Sequence, residues 1–249
     1  MEHLYDTHFH LDLQKDRIGA IYEIEEHQIY TIAVTNLPDL YRKESGEIAS
    51  KYIRFALGFH PELIHHYKSQ IPLMWELLPV ARYIGEVGLD FVDRTYKNEQ
   101  LAFFSELIER CRYDKDKIIT IHSRRAVRQV LNIIGDRFRF KPILHWFTGS
   151  KEELLSAVEN GFYFSINKSM MNTKKFQSMF SLIPKERLLF ETDSPFLSFQ
   201  HSHSETLIKL RQLIFIPRFI KFYRFCKKFY PSLTRHYKTV EELKKAKLD

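Results

Sequence analysis

The sequence predicts an α/β protein built as a (β/α)8 TIM barrel. Three observations carry that prediction. Eight short β-rich runs can be read along the first 200 residues or so, segments of helical periodicity lie between them, and eight such units in that length suit a closed barrel rather than an open sheet.

The runs fall near 3–10, 29–36, 53–60, 81–90, 117–123, 141–147, 162–167 and 187–195. Between them, segments such as 98–113 set Leu101, Phe103, Phe104, Leu107 and Ile108 at helical spacing, with charge on the opposite face. Alternation of this kind calls for parallel strands joined by crossover helices. At 249 residues, 44% hydrophobic and 28% charged, the chain can bury roughly three quarters of its unfolded surface in one domain. The barrel is assigned to residues 1–208, and 209–249 is read as a basic C-terminal helical segment of the same domain.

Composition narrows the function. There is no apolar run of the roughly 20 residues a membrane helix needs, and the opening Met1-Glu2-His3-Leu4-Tyr5-Asp6 lacks the basic and apolar regions of a signal peptide, so a cytoplasmic protein without membrane contact is expected. Cys111 and Cys226 stand far apart, which leaves no thiolate metal site; both are read as buried fillers. The net charge of +7 is uneven: residues 209–249 carry 12 basic against three acidic groups, whereas the preceding 208 residues carry 26 against 28.

The strand ends hold the chemistry. The first run closes on Asp6-Thr7-His8-Phe9-His10, where a period of two turns His8 and His10 inward and Thr7 and Phe9 toward the helices. Later runs end in His60, in Glu86 followed by Asp90, in His122-Ser123-Arg124, in His145 and in Glu191-Thr192-Asp193. A single histidine at a strand end is more often a hydrogen-bonded rim group than a ligand, and Asp193 before Ser194-Pro195 could simply cap a helix. Taken jointly, five histidines and two carboxylates at six strand ends point to a site, since barrel enzymes draw catalytic groups from the carboxyl ends of several strands. An all-nitrogen-and-oxygen donor set suits Zn2+, Mn2+ or Mg2+. A carboxylate able to bridge suggests two ions about 3.5 to 4 Å apart, the arrangement that clamps an in-line phosphoryl displacement.

These residues stand in the motifs DTHFHLD, GFHP, GEVGLD, IHSR, HWFTGS and ETDSPFL, and with them the chain resembles the TatD-like metal-dependent hydrolases, an amidohydrolase-like barrel family known for DNA exonucleases. The resemblance implies that His8, His10 and Asp193 hold one metal, His122 and His145 the other, and that Glu86 bridges them. It implies His60 near a substrate phosphate, Asp193 as proton acceptor from the attacking water, supporting or phosphate-facing roles for Asp90 and Arg124, and Asp6 orienting a metal-binding imidazole. The catalytic group is then Glu86, Asp193 and His60, and DNA is the expected substrate. After Leu197 the pattern changes: the Arg-Asn-x-Pro signature of the family is replaced by Ser198-Phe199-Gln200-His201-Ser202-His203-Ser204, with His201 and His203 read as exposed loop residues. Short divergent proteins of this type occur in bacterial Qat anti-phage gene clusters, which implies protein partners of a defence system. Hydrolysis of another ester such as misacylated tRNA, and a degenerate barrel serving as a binding subunit, are the alternatives. Arg218, Lys221 and Arg224, interleaved with aromatic residues between Pro217 and Pro231, are expected to form a cationic helical stripe that meets nucleic acid.

Overall fold

In a computed structural model that describes residues 4–197 and 202–210, all eight expected strands are present. They are β1 (Tyr5–Phe9), β2 (Tyr30–Val34), β3 (Ile53–Ala56), β4 (Tyr83–Gly88), β5 (Ile118–His122), β6 (Lys141–His145), β7 (Tyr163–Ile166) and β8 (Leu188–Phe190). Between them lie α1 (Arg17–Glu26), α2 (Pro38–Glu47), α3 (Ile71–Leu77), α4 (Lys97–Cys111), α5 (Val127–Ile134), α6 (Lys151–Glu159), α7 (Lys168–Met171) and α8 (Lys174–Met179). This is the (β/α)8 barrel, and it lies in the first of two compact units, Met1–Leu207; of the second, Ile208–Asp249, residues from 211 onward, with Arg218, Lys221, Arg224 and Cys226, lie outside the described residues. No helix among the described residues is long and apolar enough to cross a membrane.

Local sequence accounts for the elements. In α4, Phe103, Phe104, Leu107, Ile108 and Cys111 recur at three and four positions and are buried, so the helix shows one apolar stripe to the strands. The Cys111 thiol is pushed up to about 11 by burial, as an inert filler should be. α6 begins with a capping box in which the Ser150 side chain accepts from the Glu153 N–H while the Glu153 carboxylate accepts from Ser150. Strands such as β5, Ile-Ile-Thr-Ile-His, are β-branched almost throughout, which suits a sheet buried on both faces.

All strand pairs are parallel, but the ladder falls into two arcs, β1-β2-β3 and β4 through β8. Single hydrogen bonds close the two seams. Between β3 and β4, Leu57 N–H donates to Tyr83 O at 2.9 Å, Gly85 N–H to Leu57 O at 2.8 Å and Phe59 N–H to Glu86 O at 3.0 Å, while the Glu86 N–H reaches Thr35 O beyond β2 at 3.0 Å. Between β8 and β1, Thr7 Oγ1 donates to Phe190 O at 2.9 Å, Asp193 N–H to His8 O at 2.9 Å and His10 N–H to Ser194 O at 3.0 Å. Strands β3 and β8 therefore end several residues, and β1 one residue, before the sequence reading places their ends, because the residues beyond leave the ladder for these seam contacts.

Gly58 shows how tight the first seam is. A Cβ there would fall on the Thr35 carbonyl oxygen and lie 2.7 Å from the Glu86 amide nitrogen, both of them backbone atoms that cannot swing aside. Gly58→Ala is expected to destabilise the protein by at least about 2 kcal/mol, as overpacking does, read as a fall in the urea midpoint; an unchanged midpoint would show that the seam can widen.

Candidate metal centre

β4 delivers a carboxylate into the space that the ends of β1, β5 and β6 surround, and that carboxylate organises the site. Glu86 is 3% exposed. Its Oε2 lies 3.5 Å from His8 Nε2 and 3.5 Å from His10 Nε2. Its Oε1 lies 2.6 Å from His122 Nδ1, 3.1 Å from His145 Nε2 and 3.7 Å from His60 Nε2. Asp193, after β8, adds Oδ1 at 3.8 Å from His8 Nε2 and 3.5 Å from His10 Nε2. Three candidate ligand groups result: His8, His10 and Asp193; His60, Glu86 and His122; and His8, His145 and Glu191, which shares His8 with the first. His145 stacks on His8 at 3.8 Å between rings, facing Glu86 with one nitrogen and Glu191 with the other.

The donors fit a divalent cation. Two ligand atoms held about 2.1 Å from one ion at a tetrahedral angle are themselves about 3.4 Å apart, and the 3.5–3.8 Å separations among His8 Nε2, His10 Nε2, Glu86 Oε2 and Asp193 Oδ1 match that figure. The buried His8 Nε2 has no hydrogen-bond partner among the described residues, while its Nδ1 lies 3.1 Å from Thr120 Oγ1, an arrangement that leaves Nε2 free to ligate. With no thiolate present, the set suits Zn2+, Mn2+ or Mg2+ alike.

Charge is balanced within the cluster. Burial by itself would push the Glu86 carboxyl up, but His60, His145, His122 and His8 around it hold it well below the usual carboxylate range. Burial opposes a proton on His122 as well, yet Glu86 and Asp90 raise it to about 8. His145 is raised well above the ordinary histidine range by Glu191 and Glu86, again against burial. Burial dominates at the other two: His60 falls to about 4, and His8 is lowered by burial and by the facing His145.

Supporting residues complete the picture. Asp90 is buried, with Oδ2 2.8 Å from His122 Nε2, so it holds that imidazole from behind. Arg124 is exposed and lines, with His60, Trp146 and Phe196, a cavity of about 580 Å3 that opens onto Glu86 and Asp193. Asp6 differs from the sequence reading. Its carboxylate meets no imidazole of His8 or His10; Oδ1 accepts from the backbone N–H of His8 and of Thr192, each at 3.1 Å, and Oδ2 accepts from Thr192 Oγ1 at 2.5 Å. His203 differs too: it is not in an exposed loop but in the first turn of a helix beginning at residue 203, with its side chain only 7% exposed and its Nε2 2.7 Å from Asp6 Oδ2. Ser202 and Glu205 have capping-box spacing, with Glu205 N–H donating to Ser202 Oγ at 3.3 Å, and that spacing is the sequence signal that places His203 in a helix. His201 lies outside the described residues.

Glu191 is the buried carboxylate that sequence reasoning placed at a strand end without giving it a role. It is fully buried, bonds the Ser165 hydroxyl, accepts from Asn167 Nδ2 at 2.8 Å and from the Trp146 N–H at 3.2 Å, and lies 3.4 Å from His145 Nδ1. Trp146 has φ of 40°, a left-handed conformation that costs a bulky residue about 1–3 kcal/mol, so the Glu191 bond holds both His145 and the chain that follows it.

A parallel barrel with imidazoles and carboxylates gathered at its strand ends is the architecture of the metal-dependent hydrolases. The chain belongs to the TatD related DNase family, whose family model matches residues 5–244. An uncharacterised metal-dependent hydrolase of Bacillus subtilis is 30% identical over 78% of this chain and 81% of its own length. The human deoxyribonuclease TATDN3 is 32% identical over 78% of each. The Escherichia coli 3'-5' ssDNA/RNA exonuclease TatD is 32% identical over 48% of each. Among solved structures, a TatD homologue of Escherichia coli superposes with a TM-score of 0.67, covering 85% of this chain and 88% of that one at 21% identity, which supports the fold alone. The protein is thus a metal-dependent hydrolase.

The titrations set the behaviour of metal-free protein. His122 gains affinity for its proton on folding, so the stability it lends is complete below pH 6.5 and lost as pH rises through about 8. His60 has the opposite sign: its value falls on folding, and stability drains away as pH declines from 6.5 toward about 4. The melting temperature of chelator-treated protein should peak near pH 6.5, and Zn2+ or Mn2+ should move the maximum upward by replacing the His122 proton. A metal-free profile that keeps climbing beyond pH 8 would contradict the arrangement.

Proposed function

We propose that this protein hydrolyses phosphodiester bonds of DNA, working from strand ends or on single strands, with one or two divalent ions at the carboxyl mouth of the barrel. The observation that carries the reading is Glu86, one buried carboxylate that faces nitrogens of five imidazoles. His8, His10 and Asp193 would hold one ion, His122 and His145 the second, with Glu86 between them. Bound ions supply a nucleophile from water near neutral pH and offset charge on the phosphoryl oxygens.

The remaining work falls to side chains. His60 stays uncharged at neutral pH in its buried position, and it stands in the cavity with Arg124, so the two are assigned to the phosphate: Arg124 as the charge and His60 as a hydrogen-bonding group. The Asp193 carboxylate takes the proton of the attacking water. Glu191 and Asp90 fix His145 and His122 in orientation, which keeps both rings aimed at Glu86 as substrate arrives. The printed names of the Escherichia coli exonuclease and the human deoxyribonuclease support DNA as substrate. A place in a defence complex would be argued from residues 209–249, nearly all of which lie outside the described residues.

Purified protein should degrade DNA in the presence of Mg2+ or Mn2+, stop on chelation and resume when metal returns. Glu86→Gln, His145→Ala and Asp193→Asn should each lower turnover by about a hundredfold or more, as removal of one preorganised charge or donor does, while circular dichroism stays that of the folded barrel. Near wild-type rates in all three would return these residues to the rim. Deacylation of charged tRNA without DNA cleavage would replace the substrate, and a lack of any turnover would favour a binding subunit.

The charge of the C-terminal segment supports a nucleic-acid contact at Arg218, Lys221 and Arg224. DNA affinity should then fall with salt at a slope of roughly 0.7 to 0.9 per phosphate neutralised. Reversing those three charges should flatten the slope and weaken binding at unchanged metal content; an unchanged slope would assign the segment to a protein partner.

A further inference from the structure

The seam between β8 and β1 has a feature that the metal site does not explain. Asp6 is fully buried, and its carboxylate accepts from four donors. Two are backbone N–H groups, of His8 in β1 and of Thr192 after β8, and a third is the Thr192 hydroxyl. The fourth, His203 Nε2 at 2.7 Å, comes from neither strand. Its ring stacks on Phe9 with centroids 4.6 Å apart and planes 14° apart, between the two positions that carry His8 and His10. The next residue anchors the same turn, since Ser204 N–H and Oγ donate to the Glu23 carboxylate on α1 at 2.9 and 3.1 Å.

The geometry points to His203 as a positioning residue that locks the β1–β8 seam and so sets the spacing of His8, His10 and Asp193 for metal. The argument is one of connectivity. β8 is only three residues long, and past Phe190 the bonding to β7 continues only through Glu191 N–H to Ile166 O at 3.2 Å, one residue short of Thr192. What joins the stretch that carries Asp193 to β1 is the Asp6 carboxylate, with the Asp193 N–H to His8 O bond one residue on and the His10 N–H to Ser194 O bond just beyond it. A buried carboxylate holds its donors rigidly only when its oxygens are satisfied, and His203 Nε2 is the second donor to Oδ2, beside the Thr192 hydroxyl, and the one that comes from outside the two strands. Without it Oδ2 keeps only the Thr192 hydroxyl, and any shift of the carboxylate passes directly to the backbone of His8 and of Thr192, next to Asp193.

The inference rests on His8, His10 and Asp193 holding metal, and Mn2+ binding to intact protein, followed by electron paramagnetic resonance, tests the two separately. His203→Phe keeps the stacking surface and removes the donor; His203→Gln places an amide nitrogen close to the position of Nε2. Wild-type protein should bind Mn2+. The Phe variant should lose about tenfold in affinity at one centre, the lower end of the range for residues that orient ligands, with the other centre within about twofold. The Gln variant should stay within about twofold of wild type at both. Should His203→Phe prove too unstable to purify, His203→Asn, whose amide stops short of Asp6, carries the same expectation. Unchanged Mn2+ affinities in the donor-lacking variant, equal loss at both centres, or failure of Gln to restore binding would overturn the positioning role. No Mn2+ binding by wild-type protein would overturn both this role and the metal reading beneath it.

Discussion

The interaction on which the rest of the structure depends is the burial of the Glu86 charge. A lone carboxylate removed from water would take up a proton or unfold the strand that carries it. Here it is kept ionised by histidines drawn from β1, β5, β6 and the segment after β3, with which it is in contact. Three of those histidines in turn have a partner behind them. Thr120 stands behind His8, Asp90 behind His122 and Glu191 beside His145, so the requirement spreads outward from one carboxylate into six of the eight strands or the residues that follow them. The same groups that make the site attractive to cations make it costly for the barrel to lose any one of them.

The strain visible at the site follows from that demand. Trp146 and Asp193 both take positive φ immediately after a residue of the cluster or within it, at 40° and 51°. Neither is a glycine, and each is tied by a hydrogen bond of its N–H, to Glu191 and to His8 O respectively. Backbone of that kind survives where surrounding contacts outweigh its cost. Here the contacts are the seam bonds and the Glu191 network, which carry the chain across the ends of the strands and turn it back toward the helices.

Much of this was legible in the sequence, and the reason is periodicity. His8 and His10 face the same way because a strand alternates, and the six strand ends stood out because chemistry-bearing residues follow apolar runs there. Strand lengths were less legible, since residues such as Phe59 and Asp193 look continuous with a strand but bond across a seam instead. Glu191 was hidden by its neighbour Asp193: two carboxylates two residues apart offer no sign of which faces His8 and His10 and which backs His145. His203 was hidden for a different reason. Its partner Asp6 lies 197 positions away in the chain, and no local pattern encodes a contact of that range.

The two arcs carry a further consequence. A ring made of three strands and five strands has two joints, and two carboxylates of the cluster stand at those joints, Glu86 at one and Asp193 at the other. A cation shared between them would act as a rivet through both halves of the shell, so that chemistry and closure draw on the same few atoms. A barrel stripped of those two carboxylates would need other contacts at both joints, and His203 against Asp6 is one such contact at the second.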